Sequence, residues 1–297
     1  MMSHSPWYWP DGRPARFQDI MPRLLTYNVH RCVGVDRKLD VARIAGVIAE
    51  HEPDIVCLQE LDVGRARTGH VDQARSIADG LAMTFHFNAA MRVEAEQYGD
   101  AILTLRPERL VKSGPLPTIR GLPGLEPRGA LWVVIDLDGI LVNVINTHLG
   151  LVPREQRLQA AALVGPDWLG HPDCVGPTLL AGDFNATSIT RPYQTITRHL
   201  ADCQRSLGLK PTIKTFPSGF PAIRIDHCFT SPEVLVTAVS APFSPLARMA
   251  SDHLPLVIDF EIRALQVPAG CDESGSAVSR GGRRPGSRSG LPAGTRR

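Results

Sequence analysis

Apolar runs that stop abruptly at one polar group recur along this chain. The first, Arg23–Asn28, has the character of a strand and leads into TYNVH. After a polar loop, Asp40 can cap a helix whose apolar positions, Val41, Ile44, Ala45 and Ile48, recur at helical spacing until Pro53 stops it. The run DIVCLQE is continuously apolar from 55 to 58, as expected of a strand buried on both faces, and ends in Gln59 and Glu60. A second helix is predicted over 72–81, with Ala74, Ile77, Ala78 and Leu81 on one face, followed by short strands at 85–87 and 101–105. The Pro- and Gly-rich stretch 114–127 predicts a long surface loop. Next comes a hairpin, ALWVVIDL and ILVNVINTHL about Asp138-Gly139, which suits a type I′ turn; its second arm ends at His148. Pro153 opens a helix with Leu158, Ala161 and Ala162 as its apolar positions. The buried run 178–181 then stops at Gly182 and delivers Asp183 and Asn185 to one face. Thr190 and Pro192 start a helix bearing Tyr193, Ile196 and Leu200; 211–226 reads as loop, and a strand pair is expected at 234–239 and 255–262.

Two segments of this pattern resemble each other. Asn28 ends a strand, a helix follows, and the next strand ends in Glu60; His148 ends a strand, a helix follows, and the next ends in Asp183. Such a repeat predicts two similar strand-helix-strand units whose functional groups gather at one end of two packed sheets.

Composition narrows the class. A chain of 297 residues, 43% hydrophobic and 21% charged, can bury a large core. It contains no apolar stretch long enough for a membrane span and no signal-like segment, so no integral membrane association and a cytoplasmic location are expected. Six cysteines without Cys-x-x-Cys spacing indicate neither a zinc knuckle nor a disulfide framework. The formal net charge of +2 is concentrated in the last segment, which holds six arginines against Asp272 and Glu273, so the remainder is slightly acidic. The composition does not offer a globally basic nucleic-acid surface, although a net count does not reveal a local cationic groove and the Arg-rich tail could tether nucleic acid. The expected organisation is a loose leader at 1–22, with Met21 an alternative start, one domain at 23–265, and a Gly/Ser/Arg-rich tail at 266–297.

Five polar clusters stand at strand ends: Asn28, Glu60, His148, Asp183 with Asn185, and a final set of Asp226, Asp252 and His253. Each alone has an ordinary reading. Asn28 can form a turn, Glu60 can face solvent, His148 can be a satisfied core histidine, Asp252 can cap, and Asp183 and Asn185 can bond their own backbone. Their coincidence at the ends of apolar strands is harder to dismiss.

At these residues the chain resembles the endonuclease/exonuclease/phosphatase family, which includes deoxyribonuclease I, exonuclease III and the sphingomyelinases. TYNVH, CLQE, NTHLGL, AGDFN, RIDH and SDHLPL stand in that family's order and span nearly everything but the leader and tail. EPRGALWVVI, TFPSGFP and RIDH look most like a bacterial branch of uncharacterised or phospholipid-associated members. The resemblance implies an α/β fold, a four-layer sandwich of two mixed β-sheets flanked by helices. It also implies roles for the matching positions. Glu60 would be the main ligand of a divalent cation, Mg²⁺ or Mn²⁺, supported by Asn28 and Asp252. His253, oriented by Asp226, would take the proton of the attacking water, and Asp183 would orient that water or a metal-bound one. Asn185 and His148 would bond the phosphoryl oxygens, His148 alternatively serving the leaving group; which histidine is acid and which base stays open. Arg128 would bind phosphate, its ordinary reading being a surface arginine.

Departures from the family pattern also matter. Phe184 and Ala186-Thr187-Ser188 disfavour an abasic-site endonuclease. Asp100, where relatives carry Asn, either adds a carboxylate to the site or alters substrate contacts. The expected activity is therefore metal-dependent cleavage of a phosphodiester by a monomer, with the substrate a phosphoester and nucleic acid one candidate. The alternatives are a phosphomonoesterase, a phospholipid head-group phosphodiesterase or a non-catalytic nucleic-acid-binding module.

Overall fold

Twelve strands and six helices build the described part of the chain, residues 21–119 and 121–263 of a computed structural model. In chain order the strands are β1 (Arg23–Asn28), β2 (Ile55–Val63), β3 (Thr84–Val93), β4 (Glu96–Thr104), β5 (Glu108–Pro115), β6 (Gly129–Leu137), β7 (Ile140–His148), β8 (Thr178–Asp183), β9 (Ala201–Asp202), β10 (Asp226–Thr230), β11 (Val234–Ser240) and β12 (Leu256–Ile262). The helices are α1 (Val41–Ala49), α2 (Gln73–Leu81), α3 (Pro153–Leu163), α4 (Arg191–Ile196), α5 (Cys203–Ser206) and α6 (Pro245–Ala250). The predicted tail and all but the last two residues of the predicted leader lie outside the described residues.

The strands form two six-stranded mixed sheets, ordered β11-β12-β1-β2-β4-β3 and β5-β6-β7-β8-β10-β9. Their inner faces meet over Leu24, Ile55, Val133, Val144, Leu179 and Ile258, all fully buried or nearly so. A second apolar layer joins the first sheet to α1, α2 and α6 through Ile44, Ile48, Ile77 and Ala247. A third joins the other sheet to α3 and α4 through Trp132, Leu163, Phe184 and Tyr193. This is the four-layer sandwich. Each large aliphatic residue in these layers contributes about 1.5–3 kcal/mol by leaving water.

The predicted repeat is present in the topology. β1 and β2 run parallel about α1, as β7 and β8 do about α3, and in each sheet the next two strands are antiparallel. The hairpin β5–β6 precedes β7 in the chain, whereas its counterpart β11–β12 comes last and closes back on β1. The two halves are thus related with their outer hairpins permuted.

Local signals acted as expected where they were strong. Asp40 accepts from the Arg43 amide at 2.9 Å and starts α1. Asp138 and Gly139 take φ of 51° and 96°, as a type I′ turn requires. Other elements differ. β5 occupies the start of the expected loop, β3 and β4 are longer than predicted, α4 stops before Leu200, and α5 and α6 lacked any clear periodicity. The α3 face is also reversed: Leu158 is 44% exposed, while Glu155, Gln156 and Gln159 are buried. No described helix is long and apolar enough to cross a membrane.

Candidate active site

Strand register brings the polar ends together. His148, Asp183 and Asp226 are direct neighbours across β7, β8 and β10, while Asn28 and Glu60 arrive from β1 and β2 of the other sheet. Asp252 and His253 enter from the segment between α6 and β12.

Glu60 does not end its strand, contrary to the sequence expectation. β2 continues to Val63, and Glu60 sits in a bulge where the β2–β4 register shifts between Leu58 and Leu61, with φ of +63°. An extra residue in one strand re-aims its side chain and leaves partner carbonyls unpaired. Here the opposite sheet supplies the missing partner. The Asn146 amide donates to both Leu58 O and Ala101 O at 2.8 Å, and Asn146 Oδ1 accepts from Gln59 Nε2 at 2.8 Å, all of it buried. Asp100 lies fully buried against the Glu60 backbone amide, and burial first, with the Glu60 charge, pushes its carboxyl up to about 8 despite Arg128. It therefore backs the bulge and is not among the residues lining the cavity.

The AGDFN turn serves structure and site at once. Gly182 has φ of +144°, and a Cβ there would fall 1.9 Å from Thr147 O, so only glycine fits. Asp183 Oδ1 accepts from the Asn185 amide at 2.8 Å, the local turn anticipated for an Asp two residues ahead of an Asn. Between them Phe184 turns into the core. The buried glutamines of α3 complete the clamp: Gln156 Nε2 donates to Asn185 O at 2.7 Å and Gly150 O at 2.9 Å, and Gln159 Oε1 accepts from Gly150 N at 2.8 Å.

Asp183 Oδ2 is the centre of the constellation. It accepts from Asn28 Nδ2 at 3.0 Å and lies 3.6 Å from His148 Nε2 and 3.7 Å from His253 Nε2. Asn28 Nδ2 also donates to Glu60 Oε1 at 3.0 Å, tying the two sheets' carboxylates together. His253 Nδ1 meets Asp226 Oδ2 at 2.9 Å, and Thr215 Oγ1 donates to that same oxygen. Burial opposes a charge on His253, yet the Asp226 charge and hydrogen bond, with Asp183 and Asp252, push it up to about 10. Burial and then Asp226 raise the Asp183 carboxyl, against the pull of His253.

His148 has the opposite character. Burial, then the charges of Arg128 and His253, hold it well below the usual histidine range, so it is neutral. Arg128 Nη1 lies 3.0 Å from its Nδ1, and Asn185 Nδ2, which also donates to Leu149 O, lies 3.0 Å from its Nε2, so a donor faces each ring nitrogen. Arg128 is not a surface residue. It is 6% exposed and salt-bridged to Glu126 at 3.0 Å. Asp252 is half-exposed, 3.7 Å from His30 Nδ1.

All nine sequence-derived residues therefore converge. Glu60, Arg128, His148, Asp183, Asn185, Asp252 and His253 are among those lining a cavity of about 450 Å³; Asn28 and Asp226 are bonded to them from behind. Sequence reasoning missed Arg31, Arg67, Tyr98, Glu126 and Phe216, which line the same cavity. Arg67 and Tyr98 stood near recognised motifs, but in turn-like and strand-like contexts where Arg and Tyr are ordinary.

The residues fit a hard divalent cation. Asp226 Oδ1 is buried without a hydrogen-bond partner among the described residues, and Asp183, Asp226 and His253 present ligand atoms within 4.8 Å of one another. No cysteine lines the cavity among the described residues, so the donor set is carboxylate oxygen and imidazole. The Asp226–His253 hydrogen bond uses one atom of each and Asp183 accepts on both oxygens, which leaves Glu60, Asp252 and Asp226 Oδ1 as the freer carboxylate groups.

A model of the Endonuclease/Exonuclease/phosphatase family matches residues 25–253. The uncharacterized protein YbhP of Escherichia coli strain K12 is 26% identical over 264 residues, covering 84% of this chain and 100% of YbhP. An endonuclease/exonuclease/phosphatase structure from Beutenbergia cavernae is 28% identical with a TM-score of 0.63, covering 82% of this chain and 72% of that one. The mannosyl-6-phosphatase Bt3783 of Bacteroides thetaiotaomicron shares the fold at 20% identity and a TM-score of 0.64, covering 81% of this chain and 100% of its own. Because the match runs from β1 to His253, through every strand end that carries a polar group, this chain belongs to the endonuclease/exonuclease/phosphatase family of metal-dependent phosphoesterases.

Proposed function

We propose that the chain hydrolyses a phosphodiester with Mg²⁺ or Mn²⁺ held by Glu60 and Asp252, with Asn28 bracing Glu60. The observation that carries this reading is the pair of dissimilar imidazoles aimed at one carboxylate oxygen, His148 and His253 at 3.6 and 3.7 Å from Asp183 Oδ2. A diester releases an alkoxide, and hydrolysis benefits from one group that accepts a proton and one that donates. The Asp226–His253–Asp183 line is the proton-handling arm. Asp226 fixes the imidazole through Nδ1, leaving Nε2 free to exchange a proton with a water ordered by Asp183. Neutral His148, its Nδ1 against Arg128, faces the site through Nε2 beside the Asn185 amide, where the two side chains would meet a phosphoryl or leaving oxygen. The cation, when bound, neutralises the developing charge on the phosphoryl oxygens.

Hydrolysis of bis-p-nitrophenyl phosphate with Mg²⁺ or Mn²⁺, abolished by EDTA, tests the reading. Unchanged turnover after EDTA, or in His253→Ala, would overturn it. A second reading, monoester hydrolysis, is favoured by the fixed Arg128 cation, which suits a terminal dianion. A kcat/KM for p-nitrophenyl phosphate well above that for the diester would select it.

A further inference from the structure

Two guanidinium groups line the cavity without a part in the proposed chemistry, and both are built into place. Arg67 follows β2 in a tight turn, and its Nε and Nη2 each lie 2.7 Å from the carboxylate of fully buried Asp62. Thr68 Oγ1 donates to the same carboxylate at 3.2 Å, and the guanidinium lies over the Tyr98 ring at 5.6 Å. A fork anchored along one edge and stacked on an aromatic face has its direction fixed, and Nη1 remains without a partner among the described residues.

Arg31 belongs to the same wall through one hydrogen-bond chain. The Asp62 amide donates to Gln73 Oε1 at 2.9 Å, and Gln73 Nε2 donates to Arg31 O at 2.6 Å, with Gln73 fully buried. His30, Arg31 and Cys32 take consecutive φ of +44°, +56° and +56°. Three non-glycine residues in a row in the left-handed region are costly, and such strain persists where the surroundings hold a segment in one shape. The result puts the Arg31 side chain on the cavity wall, its Nη2 2.6 Å from His30 Nε2, its Nε buried without a partner and its Nη1 without one among the described residues. Two cations beside a phosphoester site, each with a spare donor, call for an anion other than the one being cleaved.

Resting on the hydrolase reading above, we propose that Arg31 and Arg67 form a phosphate-binding subsite and that the substrate is a small phosphoester carrying a second phosphate on the part retained beside the scissile phosphorus. A cavity of about 450 Å³ matches a molecule of nucleotide size.

Two esters that differ only in the second phosphate test this: thymidine 5′-(p-nitrophenyl phosphate) and the same compound bearing a 3′-phosphate. The wild-type kcat/KM is expected to favour the second by about tenfold or more, the scale of one charge-assisted hydrogen bond. Arg31→Gln and Arg67→Gln should each bring the ratio toward one, and Arg67→Lys should keep part of it. Arg67→Gln leaves Asp62 buried without its partner and can unfold the chain; Arg31→Gln touches no buried carboxylate and keeps the test open. Equal wild-type kcat/KM for the two esters, or an Arg31→Gln loss that is the same for both, overturns the subsite. Calorimetric binding of thymidine 3′,5′-bisphosphate against thymidine 5′-monophosphate to EDTA-treated protein separates the two proposals. If neither ester is cleaved but the bisphosphate binds more tightly and Arg31→Gln removes the difference, the subsite stands and the hydrolase reading falls. Equal binding of the two nucleotides overturns the subsite.

Discussion

The two strand-helix-strand units, β1-α1-β2 and β7-α3-β8, share parallel pairing and a place in equivalent sheets, yet they prepare the site differently. The first unit is supported by an apolar helix, Ile44, Val47 and Ile48 of α1 being fully buried, and it aims Glu60 by breaking its own strand with a bulge. The second keeps regular strands and uses polar support: α3 turns Gln156 and Gln159 inward to tie down the loops after His148 and Asp183. Apolar packing holds an element in place but is indifferent to a few tenths of an ångström. Hydrogen bonds from buried amides fix individual backbone atoms, here those beside His148 and Asp183. On the proposed function, the first unit would present a carboxylate to the cation and the second would order His148 and Asp183 for proton transfer.

Removing the centre should erase the comparison altogether. Asp183→Ala takes away the oxygen on which both histidines and Asn28 converge, and phosphodiester turnover is expected to fall by about 10³-fold or more. Retention of a tenth of the wild-type kcat would remove Asp183 from the chemistry.

The bulge is next in expected size. Asn146→Leu conserves volume but deprives Leu58 O and Ala101 O of their donor and buries them unpaired, a cost of about 1–3 kcal/mol for each. Stability and activity should fall together, because the register that aims Glu60 depends on those bonds. A variant that melts lower but keeps full kcat at saturating Mn²⁺ would show that the bulge aims Glu60 without help from the other sheet.

A paired measurement on the two helices sharpens the contrast. Ile48→Ala in α1 should cost about 2–5 kcal/mol in chemical unfolding while changing kcat by less than about twofold. Gln156→Leu in α3 should do the reverse, lowering kcat by about tenfold as the Asn185 loop loosens, with a smaller loss of stability. The same ranking for both helices in both measurements would mean the two units are held alike.

This contrast also explains what the sequence could and could not disclose. Strand ends were legible because a continuous apolar run followed by one Asp, His or Asn is a one-dimensional signal, and all nine named residues proved to converge. The repeat was legible for the same reason. Polar support was not. Gln156 and Gln159 fall on the helical face that looks solvated in a hydropathy pattern, so Leu158 was mistaken for the buried side. Glu60 reads as a strand end because a bulge is a matter of pairing with β4, which no local stretch encodes. Arg67 acquires meaning through Asp62, only five residues back but buried by the packing of β2, and Arg31 through Gln73, 42 residues away.

The smallest expected effect concerns the proton on His253, and its sign follows from its folded value of about 10 against an ordinary 6.5. A raised value means the folded state binds the proton more tightly, so the stabilisation is complete below pH 6.5 and is lost as pH rises through 10. Between pH 6.5 and 8 the unfolded chain has released this proton while the folded one keeps it, and stability should fall by about 1.4 kcal/mol per pH unit. For a domain of this size that is a fall of roughly 3–5 °C in Tm per unit, readable by calorimetry on EDTA-treated protein. His148, held low by burial, is neutral in the folded state while the unfolded chain is half protonated there at pH 6.5, so it opposes the fall at the low end of the window and stops contributing as pH approaches 8. Asp183, raised by burial and Asp226, acts in the same direction, so the slope alone does not isolate His253. Asp226→Asn tests the Asp226–His253–Asp183 arm as one unit, since it removes the hydrogen bond and charge that hold the proton on His253 and with them part of what raises Asp183. The variant should show a flattened Tm profile from pH 6.5 to 8, and a slope equal to wild type would mean that the proton is held elsewhere than on the His253 arm.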